Sequence, residues 1–140
     1  MKIKIYQKST VALDEFNERE WVNADLEHYG KGTKWQEGKN KIVALDGNKI
    51  VGYLNMEFKA GVVLIKNIIV AKEKRGSGIG KRLMQKVEQI AKKDSLHKIY
   101  LETGKNWQSV KFYKSLGYQI TGELKNHHHH HDFVIFTKFI

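Results

Sequence analysis

Three glycines in five residues sit between an apolar run and a stretch of helical periodicity, and this junction constrains the chain more than any other feature. The segment is Arg75-Gly76-Ser77-Gly78-Ile79-Gly80. Ahead of it, Lys66-Asn67-Ile68-Ile69-Val70-Ala71 reads as the end of a buried strand. Behind it, Ile79, Leu83, Met84, Val87, Ile90 and Ala91 recur at helical spacing. Glycine at 76, 78 and 80 removes Cβ atoms where backbone must approach something closely. A strand, a glycine loop and a helix N-terminus in that order make a phosphate cradle, because unpaired N–H groups and the positive end of the helix dipole point at the ligand.

The rest of the chain supplies an α/β frame for this loop. Residues 2–7 alternate polar and apolar and read as a first strand, which is also why the N-terminus does not read as a signal peptide. Val11 to Tyr29 is helical in pattern, as one helix or two, and stops at Gly30. Lys41–Leu45 and Ile50–Phe58 read as strands joined by the hairpin turn Asp46-Gly47-Asn48-Lys49. A long strand over 62–71 follows, then the helix behind the glycine loop to about Asp94 and a strand over 97–103. Asn106 to Leu116 predicts a helix stopped by Gly117, and 118–124 and 132–140 are closing strands. No repeat or linker interrupts the series, so residues 1–140 are expected to form one domain with a mixed sheet of about seven strands and about four helices.

Composition narrows the partners. A chain of 140 residues with 41% hydrophobic and 29% charged side chains can bury a core, and no apolar run reaches membrane-spanning length. Cysteine is absent, which excludes disulfides, thiolate catalysis and cysteine zinc sites and favours a cytoplasmic setting. The net charge of +10 is unevenly placed. Residues 1–70 carry 11 Lys+Arg against 9 Asp+Glu, whereas residues 71–140 carry 14 against 6. The basic half holds the glycine loop, so an anionic ligand is expected, either a phosphorylated cofactor or nucleic acid. No basic run is interleaved with aromatics, which counts against a nucleic-acid module.

Two familiar phosphate loops fail to match. Gly80-Lys81 is followed by Arg82, and Arg75 stands where a Walker A loop needs its first glycine. The spacing G-x-G-x-G, after a β-meander, is not the dinucleotide-binding fingerprint. Arg75-x-x-Gly78-x-Gly80 after Asn67-Ile68-Ile69-Val70 instead resembles the acyl-CoA loop of the GNAT N-acetyltransferase family, R/Q-x-x-G-x-G/A. Downstream, Asn106-Trp107-Gln108-Ser109-Val110-Lys111-Phe112-Tyr113-Lys114-Ser115-Leu116-Gly117-Tyr118 resembles that family's second signature. The resemblance covers nearly the whole chain, because the element order also matches.

The resemblance implies a GNAT-like acyl-CoA N-acyltransferase fold and acetyl transfer from acetyl-CoA to a primary amine, on a small molecule or a protein, by direct attack in a ternary complex. Backbone N–H groups across Arg75, Gly76, Ser77, Gly78, Ile79 and Gly80 would seat the pyrophosphate, with Lys74, Arg75, Lys81 and Arg82 neutralising its charge. Backbone groups of Ile68 and Val70 would pair with the pantetheine arm where strands 62–71 and 97–103 splay apart, and an N–H near Ile69 or Val70 would face the oxyanion. Tyr113 matches the family's proton donor to the leaving thiolate. Asn106 would cap its helix or bond the pantetheine. Glu57 and Glu102 are the candidate bases, with a water chain as the alternative. A CoA-binding sensor without turnover is the remaining alternative on the same fold, and the state is expected to be monomer or homodimer.

Two features stand outside the motifs. Asp14, Glu15, Glu18, Glu20, Asp25 and Glu27 crowd the first helical region and suggest a cationic amine acceptor. His127 to His131 form an internal run ahead of a closing strand. Its ligands are adjacent rather than spaced, so no metal is expected to be required.

Overall fold

Tight turns organise the first half of the sheet. In the computed structural model, which describes residues 1–140, β1 (Glu37–Asp46), β2 (Lys49–Lys59) and β3 (Val62–Val70) form an antiparallel meander. Gly47 at φ 59° turns the first hairpin, where Asp46 faces Lys49. Ala60 and Gly61, at φ 50° and 85°, turn the second. Positive φ at both central positions gives a turn whose twist matches that of the strands. β4 (Lys98–Gly104), β5 (Gln119–Leu124) and β6 (Phe133–Phe139) complete a six-stranded sheet in the order β1-β2-β3-β4-β6-β5, with β3 and β4 parallel.

Helix α2 (Ile79–Lys93) buries Leu83, Met84, Val87 and Ala91. They pack with Leu54, Met56, Val63, Ile99, Leu101 and Phe136 in one core, to which α3 (Ser109–Ser115) adds Tyr113. Full burial of each Leu, Val, Ile, Met or Phe among them contributes roughly 1.5–3 kcal/mol. Along β4, Ile99, Leu101 and Thr103 are buried while Tyr100 and Glu102 are not, so Glu102 projects from the opposite face of the sheet.

One irregularity positions the site. Asn55 of β2 faces Asn67, but Met56 faces Ile65, so Lys66 is an extra residue in β3. Such a bulge bends its strand. It falls where β3 leaves β4: the parallel pairing runs from Val62 opposite Lys98 to Leu64 opposite Tyr100 and stops there.

Residues 1–35 and residues 36–140 are two separate units. In the first, α1 (Val11–Tyr29) begins at Thr10, whose hydroxyl accepts from the Leu13 N–H at 3.2 Å, and ends at Gly30 with φ 72°. Asp25 accepts from the Thr33 hydroxyl at 2.9 Å and from the Trp35 indole at 2.8 Å. No helix in the chain is long and apolar enough to cross a membrane.

The differences from the sequence expectations are local. Residues 2–7 are not a strand, because their alternation finds no partner strand to satisfy the backbone. The sheet therefore has six strands rather than about seven. Residues 11–29 are one helix, giving three α-helices, with short 3-10 turns at Lys72–Lys74 and His128–His130. The helix expected from Asn106 starts at Ser109, and the residue before it is Gln108, which makes no side-chain cap.

Candidate functional site

β3 continues to Val70 and β4 to Gly104 after their mutual pairing ends. Each stays paired on its outer side, Val70 with Gly52 and Gly104 with Phe133. Two supported strands thus diverge, and the residues 65–70 and 101–104 wall an open wedge. An unpaired strand edge is a template for an extended chain.

The C-terminal end of β3 leads through Lys72–Lys74 into the glycine loop. Gly76 and Gly78 take φ 78° and 86°, and a Cβ on either would meet no atom within 4 Å. Backbone conformation, not crowding, is what requires glycine there. Gly80 is different. Its Cβ position lies 3.2 Å from Phe112 Cζ and 3.8 Å from Val70 Cγ2, so the loop's third glycine admits the aromatic of α3. Gly78 caps α2 without a side-chain bond, and the first helical bond runs from the Arg82 N–H to the Gly78 carbonyl at 3.1 Å. The N–H groups of Ile79, Gly80 and Lys81 therefore have no helical acceptor, and the first turn holds no acidic residue to answer the dipole.

The four cations at the loop are not equivalent. Lys74 Nζ is 2.8 Å from Asp46, and that hydrogen bond and charge raise the lysine pKa and lower the carboxyl's. Arg75 Nε donates to the Val70 carbonyl at 3.2 Å, folding the guanidinium back onto the end of β3. The Ser77 hydroxyl donates to the Lys74 carbonyl. Lys81 and Arg82 are exposed and form no ion pair. A cleft of about 540 Å3 beside the loop is lined by Ile42, Ala44, Ser77, Ile79, Arg82 and Lys86 among others.

Tyr113 is 5% exposed, with ring centroids of Phe112, Phe136 and Tyr118 at 5.1, 5.5 and 6.2 Å. Burial pushes its phenol up to about 12. Its hydroxyl therefore stays protonated far above neutral pH. Tyr118 is raised too, by burial first and then by Glu88 and Tyr113, and its hydroxyl is buried without a partner. Asn106 is exposed in the turn before α3, so it and Tyr113 do not share a helix.

The two candidate bases are apart in kind. Glu57 faces Leu64 across β2 and β3, and Lys66 Nζ lies 3.6 Å from its carboxylate. Glu102 Oε1 is 3.1 Å from Nε2 of both His127 and His128. These histidines come from the β5–β6 connection and meet Phe133 edge to face, with ring centroids 5.3 and 5.2 Å apart. Phe133 also meets Trp107 at 5.2 Å, and Trp107 lies on Gly104, where any Cβ would fall 2.3 Å from the indole. Sequence reasoning missed both Phe112 and this aromatic–histidine cluster. The pattern Gly104-x-x-Trp107 is the one local sign of it.

Comparison with known proteins bears on the family and the fold. The profile of the Acetyltransferase (GNAT) family matches residues 9–118. The uncharacterized N-acetyltransferase YjcF of Bacillus subtilis is 29% identical over 126 residues, 88% of this chain and 89% of that one. An acetyltransferase from Bacillus cereus superposes with a TM-score of 0.75 over 98% of both chains at 22% identity. A Bacillus anthracis protein described as a streptothricin acetyltransferase, determined in complex with acetyl coenzyme A, gives a TM-score of 0.65 at 28% identity, over 72% of this chain and 63% of that one.

Proposed function

The chain belongs to the Acetyltransferase (GNAT) family and is an N-acetyltransferase, and from that premise we propose that it transfers acetyl from acetyl-CoA to a primary amine by direct attack in a ternary complex. The observation that carries the cofactor is the wedge: β3 leaves β4 at Leu64 and Tyr100 and runs on toward a glycine loop at a helix N-terminus. The similar Bacillus anthracis protein was determined with acetyl coenzyme A.

Acetyl-CoA supplies an activated acyl group as a thioester, and the chain's residues do the rest. Backbone edges of Ile68, Ile69 and Val70 hold the extended arm as an added strand. Backbone N–H groups of Arg75, Gly76, Ser77, Gly78, Ile79 and Gly80 seat the pyrophosphate at the start of α2. Lys81 and Arg82 add free charge there, whereas Lys74 is already committed to Asp46. An N–H of Ile69 or Val70 faces the thioester oxygen and stabilises the charge that develops on it. As the new C–N bond forms and the C–S bond breaks, Tyr113 delivers its proton to the departing sulfur; burial keeps that proton on the phenol at neutral pH, so it is present when the thiolate leaves. Asn106, in the turn before α3, is assigned to the pantetheine arm. The amine proton leaves to Glu57, to Glu102 or to water. A cationic acceptor is favoured by the acidic sequence of α1.

The test has two stages on one sample. Acetyl-CoA is titrated while thermal stability is followed, then free thiol is measured with polyamines, aminoglycosides and peptides. A rise in midpoint with amine-dependent thiol release is expected. No rise at high acetyl-CoA overturns the cofactor assignment. A rise without thiol release from any amine points to a CoA-binding sensor. Preference for anionic amino acids overturns the cationic acceptor.

A further inference from the structure

The histidine run acquires a distant third partner in the fold. The β5–β6 connection returns over the face of β4 that carries Glu102, and Nε2 of His127 and Nε2 of His128 converge on one oxygen of that carboxylate at 3.1 Å each. The three candidate ligand atoms all lie within 4.8 Å of one another. We propose that Glu102, His127 and His128 form a binding site for a divalent transition-metal ion of the zinc class.

Two imidazole nitrogens and a carboxylate oxygen suit zinc, with bonds near 2.0–2.2 Å. At tetrahedral angles such bonds place neighbouring ligand atoms ~3.3–3.5 Å apart. The observed separations from Glu102 need to open by only a few tenths of an ångström, and the imidazoles already point inward.

The loop that presents the histidines is held by bonds that do not use their Nε2 atoms, which contact Glu102. The His127 N–H donates to the His131 carbonyl at 2.8 Å, and the Asn126 N–H donates to Asp132 Oδ1 at 2.9 Å. His130 Nδ1 is engaged with Asn126 Oδ1 at 2.9 Å, which turns that ring away from the cluster's work. The Phe133 ring meets both imidazoles edge to face, at 5.3 and 5.2 Å between ring centroids. Asn126, His129 and His130 take φ 48°, 51° and 64°, a conformation L side chains rarely adopt. The strain is concentrated on the segment that lets two consecutive histidines face one carboxylate. The lysines beside the loop are committed elsewhere, Lys105 to Glu123 and Lys125 to Glu123 and Asp132.

Adjacent histidines alone would bind metal adventitiously. Glu102, 25 residues before His127, is what makes this a built site. Three protein ligands leave a coordination position for water or another ligand. A metal there also removes Glu102 as a proton acceptor, leaving that work to Glu57 or water. The site does not depend on the transferase reading.

The test uses the full chain without any added tag. Zn2+ affinity is measured by competition with a chromophoric chelator, and Co2+ is added to read coordination from its visible spectrum. One ion per chain and a tetrahedral Co2+ spectrum are expected. Glu102→Gln, isosteric at an exposed position, should weaken binding by more than the about 10–100-fold that an outer-shell partner is worth. The double control His129→Ala with His131→Ala should bind as the parent does. Parental affinity in Glu102→Gln, or loss of binding in the control, would show adventitious capture by the run and overturn the proposal, as would no binding by the parent. None of these results bears on thiol release with acetyl-CoA.

Discussion

Replacing Tyr113 by phenylalanine separates catalysis from packing. The ring sits among Phe112, Phe136 and Tyr118, and phenylalanine keeps all three contacts. The hydroxyl has no hydrogen-bond partner in the protein and is not among its fully buried polar atoms, so its removal should change stability by no more than about 1 kcal/mol. Its pKa rises from 10.0 to about 12, which disfavours the phenolate by about 2.7 kcal/mol. The group is therefore a reservoir of one proton at neutral pH. If that proton goes to the departing thiolate, Tyr113→Phe should lower kcat by about 100–10,000-fold with KM for acetyl-CoA nearly unchanged. The assay is thiol release at saturating substrates, with a thermal unfolding curve on the same preparation. The pKa shift also sets a stability window. The folded-state value lies above the unfolded one, so the unfolded phenol ionises first. Stability is unaffected below about pH 10 and declines as pH rises from about 10 toward 12. The variant should lose that part of the decline. A kcat within about tenfold of the parent, or a midpoint that falls along with kcat, would refute the acid role and return Tyr113 to the core.

Tyr118→Phe should raise the thermal midpoint by a few degrees, because it removes a buried hydroxyl with no partner, worth ~1 kcal/mol, and it should leave kcat intact. A lowered midpoint would mean that the hydroxyl has a partner in solution. Gly78→Ala should cost about 1–2 kcal/mol from φ 86° alone, since no atom crowds the new Cβ, and should raise KM for acetyl-CoA. An unchanged KM would remove the loop from the cofactor site. Replacing Lys81 and Arg82 together by alanine should raise that KM at low salt and much less at high salt, with no loss of stability, since neither is paired.

Features that depend on a few neighbouring residues were legible in the chain, and features that depend on remote ones were not. The glycine loop is local: positive φ at 76 and 78 demands glycine whatever surrounds it. The Asp46–Lys49 turn and the stop at Gly30 are local as well. The first six residues show why alternation is not enough. Ile3 and Ile5 alternate with lysines, but a strand needs a neighbour, and none is supplied. The divergence of β3 from β4 entered only through family resemblance, because its cause is an extra residue at Lys66 that is defined by register against β2. Asn106 was displaced from the helix for a related reason. Trp107 turns back onto Gly104, its N–H bonding the Gly104 carbonyl at 3.1 Å, and the helix starts only after that turn. Glu102 looked like an isolated strand carboxylate and the histidines like a polar run, until the β5–β6 connection brought them together.

Amide hydrogen exchange with and without acetyl-CoA tests the central claim most directly. If the wedge and the glycine loop form the acetyl-CoA seat, added acetyl-CoA should slow exchange at amides of Ile68 to Val70 and of Gly76 to Lys81, with little change along β1 and β5. Protection confined to other segments, or none at saturating acetyl-CoA, would contradict it.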